Sequence, residues 1–217
     1  MTTTFLVLAG VAALADWIAV ARKQHRVELI LKPLTLALLV VAVGFAHLGD
    51  AKPAVLAALA LGLIGDVALL LSPDERGAES DLDPAFLAGL GAFLLGHIAY
   101  LVAFARHGLH GWQAVAGVLV VAGAVILAMP RVLQGARASG GTVLAAIVGG
   151  YAAVLATMVI LAFSTAAVPT AVGGLLFLAS DTTLAWNRFV RPMIRGPLIV
   201  IVTYHLAQLL IVVGLLK

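Results

Sequence analysis

Two aspartates stand inside apolar runs of this chain: Asp66 in GLIGDVALLL (62–71) and Asp181 in LLFLASDTTLA (175–185). Two carboxyls that share a water-poor site tend to keep one proton between them. Such a pair suits general acid–base work, in which one group delivers a proton and the other stabilises a cation or activates water. The structural alternative for each is a hydrogen bond to a Tyr, Thr or backbone group that locks helices together. Tyr204, His205 and Gln208 fall within one helical turn, so Gln208 shares a face with both of the others. His97 and Tyr100 are spaced i, i+3, and Tyr151 is a further hydroxyl inside an apolar run. These residues read as the rim of one polar cavity, or, more plainly, as satisfied interhelical hydrogen bonds.

Lys32, Asn187, Arg188, Arg191 and Arg195 lie at the ends of apolar runs. Arg188 is i+7 from Asp181 and therefore on roughly the same helix face. One or two of these cations could hold a lipid phosphate; the rest read as anchors whose heads snorkel to the membrane surface. Asp16 is near a helix end, where it can reach water, and reads as structural. No metal site is expected, because HExxH and HxxxH are absent and the chain has no cysteine.

The elements that must position these groups follow from composition. Of 217 residues, 63% are hydrophobic and 11% charged, which excludes an ordinary soluble domain. A spanning helix needs about 20 mostly apolar residues. Eight segments qualify: 3–21, 33–49, 53–72, 84–106, 110–129, 141–163, 168–188 and 196–216. Pro33, Pro53, Pro84, Pro169 and Pro197 stand near segment starts, where a missing N–H does no harm. The expected fold is an all-α polytopic transmembrane bundle, one domain over 1–217, with sequence neighbours packed as antiparallel hairpins. The one long polar loop is SPDERGAESDLDP (72–84). Residues 1–21 lack a basic start and carry Asp16, so no cleavable signal peptide is expected.

Loops after odd-numbered segments carry ten Lys and Arg, including Arg76, Arg131 and Arg137; the opposite side carries three, Lys52, Arg106 and Lys217. The positive-inside rule then puts both termini on the non-cytoplasmic side. The excess of base is thus a topology signal and not a nucleic-acid patch. Trp17, Trp112 and Trp186 fall near predicted helix ends, as an interfacial aromatic belt requires. A four-plus-four repeat would pair segments 3 and 7 and set the two aspartates at one depth, six or seven residues from the cytoplasmic ends.

GDVALLL (65–71), FLAGLGAFLLGHIAYLVAF (86–104), GGLLFLASDTTLAWNRF (173–189), YHLAQLLIV (204–212) and KPL (32–34) resemble the YhhN/TMEM86 family of membrane proteins, in order, from about 30 to 212. The resemblance implies lysoplasmalogenase activity: hydrolysis of the vinyl ether of lysoplasmenyl-ethanolamine or -choline to a fatty aldehyde and the glycerophospho-base. It carries the family's polar positions onto Lys32, Asp66, His97, Tyr100, Asp181, Asn187, Tyr204 and Gln208. The acid–base logic is that of glycoside hydrolysis, with no cofactor. Expected partners are a lysophospholipid substrate and membrane lipids, in a bacterial inner membrane. A lipid or small-molecule transporter is the alternative, which uptake by proteoliposomes would reveal. An intramembrane aspartyl protease fits less well, since the second aspartate reads SD where a GD context is required.

Overall fold

The computed structural model describes residues 1–72 and 83–216, which are helical with no strand among them. Arg76, most of the 72–84 loop and Lys217 lie outside the described residues. The helices are α1 (Thr2–Ala21), α2 (His25–Phe45), α3 (Lys52–Leu71), α4 (Pro84–His107), α5 (Ala114–Ser164), α6 (Val168–Phe189) and α7 (Gly196–Leu215). Among the described residues, seven helices are long and apolar enough to cross a membrane. Sequence neighbours pack side by side, and α7 closes the bundle against α1 and α2. Leu36, Leu39, Val55, Leu59, Phe104 and Ile211 form the fully covered interior, while much of the outer face is exposed Val, Leu and Ile.

Small residues set how closely the helices approach. Gly65 leaves room for the Phe93 ring, 2.7 Å from where a Cβ would stand, and Gly89 does the same for Leu69 at 2.9 Å. Without glycine at these two places α3 and α4 would be held apart.

The structure moves several expected boundaries. The sequence predicts segment 2 over 33–49, but α2 begins at His25, with Pro33 inside it. Pro33 removes only one rung of the helical ladder, and the six residues from Val27 to Lys32 supply helix-compatible side chains before it. Lys32 is therefore a helix residue and not a flanking anchor. The connection expected over 130–140 is also helical, because the break falls at Gly140 and Gly141. Gly141 has φ 71° and ψ −165°, a conformation open essentially to glycine alone. The chain folds back there: Gly117 packs on Ile160, and Gly149 faces Leu133. So α5 is a hairpin with a first arm (114–139) and a second arm (142–164).

Two polar expectations are corrected as well. Asp16 is not near water but fully buried, since α2 and α7 both cover α1. Trp17 is not an interfacial anchor; its indole N–H donates to His205 Nδ1 at 3.2 Å. Trp112, 78% exposed, keeps the character of a surface aromatic.

Candidate active site

Asp66 lies five residues before the end of α3, and Asp181 eight before the end of α6. The α1–α2 and α6–α7 connections and the Gly140–Gly141 turn gather at this same end of the bundle, as the Lys32–Asp66, Trp17–His205 and Gly135–Phe189 contacts require. Both aspartates line one cavity, bounded by α3, α4, both arms of α5, α6 and α7. It leaves about 150 Å³ open to water-sized groups. That is room for several waters or a stretch of alkyl chain. Leu90, Phe93, Val121, Leu155 and Leu178 make most of its wall apolar.

Around Asp66 the polar groups form a connected set. Its Oδ1 is 3.3 Å from Lys32 Nζ, and its Oδ2 accepts from the Tyr204 hydroxyl at 3.0 Å. Tyr204 Oη and Gln208 Nε2 each stand 3.2 Å from where a Cβ on residue 62 would be, so Gly62 opens the space they share. Gln208 Oε1 accepts from the Tyr100 hydroxyl at 2.5 Å. Four helices, α2, α3, α4 and α7, are thereby joined through polar side chains in the interior.

Asp181 has different neighbours. Its Oδ2 accepts from the Tyr151 hydroxyl at 2.5 Å and stands 3.8 Å from His97 Nε2. Phe177, one turn earlier on α6, meets the edges of both His97 and Tyr204, with ring centroids at 4.7 and 5.6 Å. This aromatic ring separates the two carboxyl neighbourhoods. His97 is buried, and neither of its ring nitrogens makes a hydrogen bond. Arg188 lines the same cavity, and its guanidinium lies over the Phe86 ring at 4.6 Å. A carboxyl pair and two cations thus meet around one apolar chamber, with an imidazole behind Asp181. Among the described residues no group of three His, Asp or Glu is arranged to hold a metal.

A model of the YhhN family matches residues 27–215. The chain belongs to the YhhN family. With seven apolar helices among its described residues, this YhhN protein is an integral membrane protein. Two curated relatives carry the name lysoplasmalogenase TMEM86B. The one from Sus scrofa is 56% identical over 39 residues, covering 18% of this chain and 17% of the relative. The one from Homo sapiens is 44% identical over 45 residues, covering 21% and 20%. The chain therefore spans about a fifth of either relative's length in these matches. No solved structure matches.

Of the residues singled out in the sequence, Lys32, Asp66, Tyr151, Asp181, Arg188 and Tyr204 line the cavity of this YhhN protein. His97 stands behind Asp181 and Tyr151, and the bonded pair Tyr100 and Gln208 also lies outside the lining. Asn187 is turned elsewhere: its Oδ1 accepts from the Met193 N–H at 2.9 Å, and its amide packs against Gly196. It shapes the α6–α7 connection. His205 faces Trp17 on the α1 side and not the cavity. Sequence reasoning passed over Phe177 and Phe86, whose only signal is helical phase: Phe177 is i−4 from Asp181, and Phe86 is two residues into α4.

Proposed function

We propose that this protein is a lysoplasmalogenase-like hydrolase that cleaves the vinyl ether of lysoplasmenyl-ethanolamine or -choline inside the bilayer. One observation carries the reading: Asp66 and Asp181 line a single apolar cavity that also holds Lys32 and Arg188. Family membership and the partial likeness to proteins named lysoplasmalogenase support it. The two arms of α5 each cross the membrane, giving eight crossings in one domain, with both termini outside a bacterial inner membrane.

The chemistry needs a proton delivered to carbon and a cation stabilised. Asp66, paired with Lys32 and bonded by Tyr204, serves as the carboxylate. Asp181, whose neighbours are a phenol and an imidazole, serves as the acid. Asp181 protonates the outer alkenyl carbon, and the ether oxygen shares the resulting positive charge as an oxocarbenium ion. Asp66 stabilises that ion and takes a proton from the attacking water. As the hemiacetal breaks its C–O bond to the glycerol, Asp66 hands its proton to the leaving oxygen and Asp181 takes the hemiacetal O–H proton, giving aldehyde and glycerophospho-base with both carboxyls restored. Lys32 and Arg188 hold the phosphate at the polar end, and the apolar wall takes the chain.

Incubating purified protein with vinyl-ether and with acyl lysophospholipids tests this. Free aldehyde from the first and no fatty acid from the second is the expected result. Folded Asp66→Asn and Asp181→Asn variants should each lose at least about a hundredfold in rate. Full aldehyde release by both variants would sink the assignment.

A further inference from the structure

The first arm of α5 and α6 touch at one end and stand apart beyond it. At Gly135 the carbonyl of Phe189 comes so close that a Cβ would have no room. Farther along, Val120 and Ala124 on the arm face Leu175, Ala179 and Thr183 on α6 across an open groove of about 550 Å³. The groove lies on the outside of the bundle, beside the exposed side chains of Leu119 and Val120. Ala124, Leu178 and Thr182 line both this groove and the carboxyl cavity. Groove and cavity thus meet at three shared side chains, one of them an alanine. The groove's one charged lining residue, Arg191, stands at the end nearest the α6–α7 connection.

We propose that this gap is the lateral route by which a single-chain phospholipid passes between bilayer and cavity, its chain sliding past Ala124 while Arg191 meets its phosphate. The inference rests on the hydrolase reading and names how that substrate reaches the site. The fit is chemical: a mostly apolar trough facing lipid, with a cation at one end, matches a hydrocarbon tail carrying an anionic head group. Arg188, one turn before Arg191 and inside the cavity, is placed to receive the phosphate as the chain moves inward.

The chain contains no cysteine, so an Ala124→Cys variant carries a single thiol. It can be capped in vesicles with methanethiosulfonates bearing a methyl or a dodecyl group, with labelling confirmed by mass. The dodecyl adduct should lower aldehyde release from long-chain lysoplasmenyl lipid about tenfold or more relative to the same variant before capping. The methyl adduct should cost much less, and thiol reductant should restore the rate. A short-chain, water-soluble vinyl ether should be hydrolysed at the uncapped rate. Val11→Cys, on the exposed face of α1, should be indifferent to either adduct. Complete dodecyl labelling with long-chain turnover intact, equal loss on both substrates, equal loss at position 11, or no labelling at all would each overturn the route. Aldehyde release by the unmodified protein tests the hydrolase reading separately. Where that is absent, saturating lysophospholipid should still slow labelling at position 124, and unslowed labelling would overturn the route itself.

Discussion

Lys32 on α2 and Asp66 on α3 meet at 3.3 Å, with the Asp66 side chain 1% exposed and that of Lys32 13%. A pair this deeply placed owes little to surface electrostatics, and its loss leaves one charge stranded. Removing one member of a buried pair costs about 3–5 kcal/mol. Lys32→Met should therefore lower the melting temperature in detergent sharply and abolish turnover. Lys32→Met combined with Asp66→Leu should recover most of the stability but none of the activity. A double variant as unstable as the single would show that the pair does more than neutralise itself.

The Tyr100–Gln208 bond ties α4 to α7 without facing the cavity. Gln208→Ala leaves a buried hydroxyl with no acceptor, at about 1–3 kcal/mol. Tyr100→Phe with Gln208→Leu removes both partners and should be milder. Thermal melts of the three proteins check the order. If Gln208→Ala melts like the parent, the bond contributes no net stability.

The Gly141 conformation predicts its own sensitivity. Any side chain at φ 71°, ψ −165° is strained by about 1–3 kcal/mol. Gly141→Ala should lower the melting temperature, whereas Gly150→Ala, with open space where its Cβ would stand, should not. Equal melts would mean that the hairpin turn relaxes without cost.

How much of this was legible in the sequence depended on the kind of signal. Apolar run length placed the helices, because lipid allows little else. The pairing of Asp66 with Asp181 in one chamber was also readable, from two carboxyls at matching distances from run ends. The fate of Trp17, Asp16 and Asn187 was not. Whether an indole faces lipid or a histidine one helix away depends on which helices are neighbours, and α1 meets α7 only when the ring of helices closes. Lys32 was displaced for a related reason. Pro33 suggested a helix start, but tertiary packing outweighed the single lost backbone bond and drew Lys32 inward to Asp66. The groove beside Ala124 could not be read at all, since it exists only where two helices fail to touch.

Outside the membrane, Asp83 caps α4. Its carboxyl accepts from the Ser72 hydroxyl and from the Phe86 N–H at 3.0 Å, and more weakly from the Ala85 N–H at 3.4 Å. These bonds, the Ser72 hydroxyl foremost, hold the carboxyl below its ordinary value. A depressed carboxyl contributes stability above the unfolded value and loses it as pH falls through the folded one. Asp83→Ala should therefore lower the melting temperature at pH 7 and narrow its gap to the parent below pH 4. A gap that stays constant with pH would remove the charge from the account.

The most discriminating substitution is Tyr151→Phe. Tyr151 touches Asp181 at 2.5 Å, packs edge-on against His97 with centroids at 5.4 Å, and lines the cavity from the second arm of α5. Removing its hydroxyl keeps the ring contact with His97 and the apolar wall, so the bilayer-held chain should bind as before. It also frees the Asp181 oxygen that the hydroxyl occupies, and the imidazole 3.8 Å away becomes the nearest group able to orient the carboxyl. The expected result is a fall in kcat of about tenfold to a hundredfold with KM little changed, since an interaction felt mainly at proton delivery lowers kcat and kcat/KM together. His97→Ala in the same background should then cost more than it does in the parent, because the two residues act on one carboxyl. Additive losses would separate His97 from Asp181. A rise in KM without loss of kcat would assign Tyr151 to chain binding alone and move the acid away from Asp181.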